Sequence, residues 1–376
     1  MEQWRIGMVE YWNNARVEQH YLETILDKAN QNKPLSKEDI VFILQLQHKD
    51  HINELFKRAR ELRSIYFQDK VFLYGFLYIS TYCRNNCNFC FYRVSNTESL
   101  RYRKEKNQIL EAAAALTRSG VHLIDLTMGE DPEFFNTEEQ GFDRLIRLVE
   151  TVKEKTRLPV MVSPGVVPEQ VLQNLATAGT TWYACYQETH KRSLFEKLRP
   201  GQSYHTRLST KQLAHKHGLL TEEGILVGVG ETPEDIAHTL EIMGSLDADQ
   251  VRAMNFVPRK GTPMESHPAP DPLQELLIIA LMRLVFPDRL IPATLDVEGL
   301  AGLKRRLEAG ANVVTSIVPP QQGLAGVAQS SLDIDDARRT TASVLPVLET
   351  CGLRAAALDE YRTWIEERRK SSVGSR

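Results

Sequence analysis

Three of the chain's five cysteines fall in one short run, Cys83-Arg84-Asn85-Asn86-Cys87-Asn88-Phe89-Cys90. An odd total crowded in this way suits neither a disulfide framework nor an oxidising compartment, and clustered thiolates in a reduced environment point to a metal. The C-x3-C-x2-C spacing can ligate three irons of a [4Fe-4S] cluster and leave the fourth iron open to a ligand. It can also hold zinc, although a structural zinc site wants four protein ligands and no paired Cys-x2-Cys or His cluster follows downstream; Cys185 and Cys351 could be recruited only by the fold. A non-catalytic zinc or iron-sulfur module therefore competes with a catalytic reading.

Charged side chains inside otherwise apolar, strand-like runs are the second signal. Asp125 and Thr127 share a face of one run, Arg252, Met254 and Phe256 of another, and Thr294 and Asp296 of a third, while Ser316 ends a fourth. Such charges are costly unless paired. One Arg and two Asp converging on a lumen suggest a small zwitterionic ligand with an extra amine, Arg252 forking onto a carboxylate while Asp125 and Asp296 receive ammonium groups. An internal Arg-Asp salt bridge without a ligand is the alternative.

The elements that must position these residues follow from periodicity. Residues 1–70 read as a helical N-terminal extension or cap: Ser36-Lys37-Glu38-Asp39 resembles a capping box, and Ile52, Leu55, Phe56, Ala59 and Leu62 recur at helical spacing. From Val71 the period changes. Eight strands are expected, at Val71–Ser80, Val121–Thr127, Val160–Ser163, Thr181–Tyr186, Ile225–Val229, Val251–Phe256, Leu290–Leu295 and Asn312–Ile317. Helices are expected between them, at Lys104–Arg118, Glu139–Lys155, Pro168–Ala178, Thr206–His217, Pro233–Ser245, Pro272–Val285 and Leu300–Glu308, with a last one at Ile334–Glu349. Gly120, Gly179, Gly218 and Gly310 stand where four helices need a left-handed terminal residue. Eight alternations predict an α/β fold with a closed (β/α)8 TIM-type barrel over residues 71–350, with a doubly wound open sheet as runner-up. Residues 351–376 read as a C-terminal helix and polar tail, basic at Arg368, Arg369 and Lys370 and expected to fray. In such a barrel the cysteine run opens at the strands' C-terminal rim, where active sites lie.

Composition limits the partners. Lys plus Arg number 46 against 49 Asp plus Glu, a balance that argues against a broad nucleic-acid-binding face. No apolar stretch approaches the ~18 residues of a membrane span, the longest, Leu276–Phe286, being broken by Arg283. The N-terminus lacks the order of a secretory signal, so a cytoplasmic location with no membrane and no nucleic-acid partner is expected.

The cysteine spacing, with Phe89 before the last cysteine, resembles the signature of the radical S-adenosylmethionine superfamily. The resemblance extends to Thr127-Met128-Gly129-Glu130-Asp131-Pro132 after the second strand, similar to that superfamily's glycine-glycine-glutamate motif with Met128 at the first glycine. It continues through Ser163-Pro164-Gly165, through Tyr186-Gln187-Glu188-Thr189, and through Gly224–Glu231, similar to the segment beside adenine with Leu226 at the isoleucine position. It implies that Cys83, Cys87 and Cys90 hold a [4Fe-4S] cluster whose open iron chelates S-adenosylmethionine. By motif position it implies that Gly129, Glu130, Asp131, Ser163, Tyr186, Glu188, Arg207 and Gly228 contact that cofactor. Over residues 35–350 the chain more closely resembles the methylornithine synthase family of pyrrolysine biosynthesis, on Phe76–Cys83, Ile124–Pro132, Tyr186–Thr189, Ile291–Gly299 and Ala309–Ile317. That resemblance implies a radical isomerase that converts L-lysine to 3-methylornithine. A 5′-deoxyadenosyl radical abstracts hydrogen, the skeleton breaks into a glycyl radical and an aminobutene, and the fragments recombine, with an external one-electron donor. It further implies substrate roles for Asp125, Arg252, Thr294 and Asp296, Thr294 standing where serine is expected, and Ser316, at the end of the eighth strand, is expected to join them. Another enzyme of the biotin-synthase or hydrogenase-maturase kind acting on a small amino acid is the alternative; sulfur insertion is disfavoured because Cys185 and Cys351 are too few for a second cluster.

Overall fold

The computed structural model describes residues 17–135, 140–320 and 338–374. Eight parallel strands, β1 (Lys70–Ser80), β2 (Leu123–Met128), β3 (Val160–Ser163), β4 (Trp182–Ala184), β5 (Leu220–Val227), β6 (Gln250–Asn255), β7 (Pro292–Thr294) and β8 (Val313–Ile317), pair in the order β6-β5-β4-β3-β2-β1-β8-β7. The gap between β6 and β7 is bridged at the strands' N-terminal ends: Val251 N–H donates to Leu290 O at 3.0 Å and Leu290 N–H to Asp249 O at 3.2 Å. The sheet is a (β/α)8 barrel, closed on that side by a bridge where the other seams carry ladders.

Before the barrel come α1 (17–30), α2 (Lys37–Leu44) and α3 (Lys49–Phe67). Between the strands lie α4 (Lys106–Ser119), α5 (Pro132–Phe135), α6 (Gln140–Thr156), α7 (Glu169–Thr177), α8 (Arg192–Leu198), α9 (Tyr204–Lys216), α10 (Pro233–Ser245), α11 (Pro272–Val285) and α12 (Gly299–Glu308), and α13 (Thr341–Thr350) and α14 (Leu358–Gly374) follow β8. The capping box exists as read: Ser36 Oγ accepts from Asp39 N–H and Asp39 Oδ2 from Ser36 N–H. Asp39 also pairs with Lys28 at 2.7 Å, tying α1 to α2. Helices α2 and α3 lie against α10 and α11, and Arg60 and Arg63 of α3 donate to the carbonyls of Glu308 and Leu307 at the end of α12. The four helix-ending glycines all have positive φ.

Three expectations are corrected. Strand β5 starts at Leu220, five residues before its expected beginning, because Glu222 and Glu223 read as polar yet are both buried and ion-paired. Helix α8 had no counterpart, being only two turns long. The basic tail does not fray at Arg368: α14 runs to Gly374, and Arg368 bonds Asp249 and Asp247, each at 2.6 Å. The last expected helix begins at Thr341, and the expected starts at Glu139 and Ile334 lie outside the described residues.

Alternation along the strands stratifies the lumen. Phe72, Leu123, Met161, Trp182 and Leu220 form an apolar floor at the strands' N-terminal ends. Strand β9 (Arg354–Ala355) pairs with the start of β1, which brings α14 beneath that floor. There Tyr361 donates its hydroxyl to that of Tyr74 at 2.7 Å, and Trp364 lies parallel to Trp182, ring centroids 5.9 Å apart. Above the floor come charged residues, and above them the rim.

Candidate active site

One cavity of about 220 Å³ occupies the upper lumen, between the charged layer and the cysteine loop. Cys83, Cys87 and Cys90 all line it. Burial pushes the Cys83 and Cys90 thiols above the usual range, and each thiolate opposes ionisation of its neighbours, so three thiolates here require a cation. Among the described residues no three His, Cys, Asp or Glu side chains converge on a point that could hold a single metal ion. A mononuclear zinc at ~2.3 Å from each sulfur would need the sulfurs within ~4 Å of one another. A cubane that takes one thiolate on each of three irons needs no such convergence, and the donor set fits it.

The rim is built for close approach. Gly129, following β2, has no room for a Cβ, which would sit 2.3 Å from Tyr82 O and 2.8 Å from Cys83 Cβ; its lack of a side chain lets this loop touch the cysteine loop. Gly165, at φ +85°, is packed against Glu130, whose Cγ would lie 2.2 Å from an added Cβ. Glu130 accepts from Arg84 Nε at 3.0 Å and Val166 N–H at 3.1 Å, with Arg207 at 3.7 Å. Ser163, Tyr186 and Glu188 also face the cavity. Arg207 is buried, Nε donating to Tyr186 O at 2.7 Å, so it is no solvated helix charge.

Two expected cofactor contacts stand outside the cavity lining. Asp131 is turned away and held by Arg103 at 2.6 and 2.7 Å and by Ser80. Gly228, at φ +84°, packs on Pro270 and donates its N–H to Glu231, which explains its glycine as a turn.

In the charged layer Asp125, Arg252, Asp296 and Ser316 come together at the cavity; Thr294 is buried behind Asp296. Arg252 pairs with neither aspartate. Its Nε donates to Glu222 Oε1 at 2.8 Å, and Tyr186 donates its hydroxyl to Glu222 Oε2 at 2.7 Å. Asp296 accepts from Ser316 Oγ at 2.6 Å, Thr294 Oγ1 at 3.3 Å and Arg339 Nη1 at 3.1 Å. Among the described residues Asp125 accepts only from Thr127 Oγ1, at 2.9 Å, and burial, with the nearby Glu222 charge, pushes its carboxyl up to about 7. Asn255 Oδ1 and Thr315 Oγ1 belong to cavity-lining residues and are buried without a hydrogen-bond partner among the described residues, which suits a polar ligand there. Glu222 and Arg339 had no sequence signal beyond a glutamate pair and an arginine pair.

A family model for the radical SAM superfamily matches residues 77–243. The chain is 43% identical over 91% of its length to 3-methylornithine synthase of Methanosarcina acetivorans, 96% of which is covered. It is 41% identical over 90% of its length to 3-methylornithine synthase of Methanosarcina barkeri, 95% of which is covered. The crystal structure of a methylornithine synthase (PylB) superposes with a TM-score of 0.86 at 41% identity, over 90% of this chain and 99% of that one. The chain belongs to the methylornithine synthase family of the radical SAM superfamily, which works with a [4Fe-4S] cluster and S-adenosylmethionine.

Proposed function

We propose that the protein isomerises L-lysine to 3-methylornithine in the barrel lumen. The observation that carries this reading is the composition of the charged layer, one arginine and two aspartates facing a cavity roofed by three cysteines. When bound, the cluster and S-adenosylmethionine supply radical abstraction of hydrogen from an unactivated carbon. Cys83, Cys87 and Cys90 would hold the cluster, while Glu130, Glu188 and Arg207, gathered at the rim, would bind and orient S-adenosylmethionine.

The chain's own work is to place one carbon under that rim. Arg252, fixed through Nε by Glu222, presents its terminal nitrogens to the lysine carboxylate. Asp296, oriented by Ser316, Thr294 and Arg339, takes one ammonium, and Asp125 takes the other. The floor of Trp182, Tyr74 and α14 keeps both pieces of a broken skeleton inside until they rejoin. An external one-electron donor completes the requirement.

Incubation of the reduced protein with S-adenosylmethionine and isotopically labelled lysine tests the reading. The expected product has lysine's mass and the branched skeleton; recovery of unaltered lysine alone, with cluster and cofactor bound, refutes it.

A further inference from the structure

The cysteine loop does not stand free at the rim. Asn88 donates its N–H to Leu198 O at 2.8 Å and its Nδ2 to Lys197 O at 2.7 Å, docking the loop on the end of α8. There the chain turns through Arg199-Pro200-Gly201-Gln202, with Gln202 N–H donating to Arg199 O at 3.2 Å and Gly201 at φ +76°. Proline second and a left-handed glycine third is the pattern of a type II turn. It brings the first and fourth side chains to the same sulfur: Arg199 Nη1 donates to Cys87 Sγ at 3.4 Å and Gln202 Nε2 at 3.0 Å. The other two cysteines receive backbone donors, Asn85 N–H on Cys83 at 3.5 Å and Tyr92 N–H on Cys90. Arg199 is itself buried, its guanidinium 5.1 Å over the Phe89 ring, and its Nη2 donates to Glu188 Oε1 at 2.6 Å and Tyr186 O at 3.3 Å.

We propose that Arg199, assisted by Gln202, is a positioning residue for electron entry: by hydrogen bonding to the Cys87 thiolate it makes the cluster easier to reduce, while the same guanidinium fixes Glu188 at the cofactor pocket. The physical basis is charge. One electron added to a thiolate-ligated cluster, with no proton taken up, increases the negative charge on its sulfurs, and a buried cation with N–H groups aimed at one of them stabilises that state. Low exposure to solvent makes the effect larger than a surface arginine would give. A side chain shared by a cluster ligand and Glu188 also links the two halves of the reaction site. The inference rests on Cys87 being a cluster ligand.

The test is a redox titration of the reconstituted protein, with dithionite as one-electron donor and the reduced cluster followed by electron paramagnetic resonance. Arg199→Met is expected to lower the ratio of reduced to oxidised cluster about tenfold or more at the wild-type midpoint, since hydrogen bonds to charged groups are the strong ones; tenfold corresponds to 59 mV for a one-electron couple. Arg199→Lys keeps the charge without the fork and falls between. Gln202→Leu removes one neutral donor and lowers the ratio severalfold. Glu188→Gln leaves both donors on Cys87 and removes a buried negative charge beside them, so its midpoint does not fall, in contrast to Arg199→Met, while affinity for S-adenosylmethionine does. An Arg199→Met protein with full iron and an unchanged midpoint overturns the proposal. If that variant takes up no iron, Gln202→Leu decides, and an unchanged midpoint there overturns it. Failure of the wild type itself to show a reducible cluster refutes the ligand assignment, a different outcome from an unmoved midpoint.

Discussion

Among the described residues Asp125 is the cavity-lining carboxylate without an ion pair, and Asp125→Asn isolates it. Glu222 on β5, Arg252 on β6 and Asp296 after β7 all act on it, and burial dominates, raising its carboxyl from 3.8 to about 7. The folded state holds the proton to a higher pH than the unfolded one, so stability is fully present below about pH 4 and is lost as pH rises through about 7. The shift corresponds to about 4 kcal/mol, a ceiling because water in the cavity screens the charge. Asparagine keeps the acceptor for Thr127 and carries no charge, and Arg252 is not orphaned because its partner is Glu222. The variant should therefore gain about 2 kcal/mol over wild type at pH 5 and about 4 kcal/mol at pH 8. With ~2.1 cal/mol/K of unfolding entropy per residue, that is roughly 2 °C and 5 °C in Tm, measurable by calorimetry across a pH series. Lysine reverses the balance in the wild type, since an ammonium group needs the ionised carboxylate: its affinity should fall roughly tenfold from pH 8 to pH 6, and the variant should bind it weakly at both. A stability gap that does not change with pH, or wild-type affinity that is flat over the same range, refutes the reasoning.

Gly165→Ala places a Cβ 2.2 Å from Glu130 Cγ at a φ of +85°. It is expected to weaken S-adenosylmethionine binding by at least tenfold in equilibrium dialysis while leaving the iron content unchanged, about the cost of ~1–2 kcal/mol for the backbone alone. Cys90→Ser should lose iron and sulfide on reconstitution, whereas Cys185→Ser, which faces the same cavity, should keep both; iron and sulfide analysis decides. Arg368→Ala leaves Asp249 buried without its cation and should cost about 3–5 kcal/mol, read as a fall in Tm that Asp249→Asn in the same chain partly restores.

What the sequence made legible was local. The three cysteines stand in one loop, Gly129 and Glu130 follow a strand, and the period-two runs from Val71 onward carry their own signal, so the barrel and its rim could be read directly. What escaped was set by partnerships across the barrel. Arg252 meets Glu222 from 30 residues away, Asp296 meets Arg339 from 43, Arg368 meets Asp249 from 119, and Cys87 meets Arg199 from 112. No periodicity announces such pairs. Glu222 and Glu223 are polar by type and so fall outside the expected β5, and Arg368-Arg369-Lys370 read as a frayed tail because the aspartate that buries the first of them lies in another element. Asp131 and Gly228 belong to the expected motifs by position, yet their side of the loop faces Arg103 and Pro270, which a linear pattern does not resolve.

The charged layer also explains why lysine, and not a neutral amino acid, suits this lumen. Two of its charges are matched before any ligand arrives: Arg252 by Glu222, and Asp296 by Arg339 with two hydroxyls. Pre-matching fixes their geometry over an apolar floor, where an unpaired charge would be most costly. Asp125 has a single hydroxyl donor among the described residues, and its raised carboxyl is the cost of that isolation. A ligand with one carboxylate and one ammonium would leave Asp125 as it is. On the proposed placement of the substrate, lysine, with one carboxylate and two ammonium groups, would bring one net positive charge and supply the missing partner, so that binding would ionise Asp125 and relieve the burial penalty in the same step. Under that proposal, selectivity for a diamino acid would follow from leaving one carboxylate uncompensated, at the level of the lumen that lies between the closed floor and the cysteine rim.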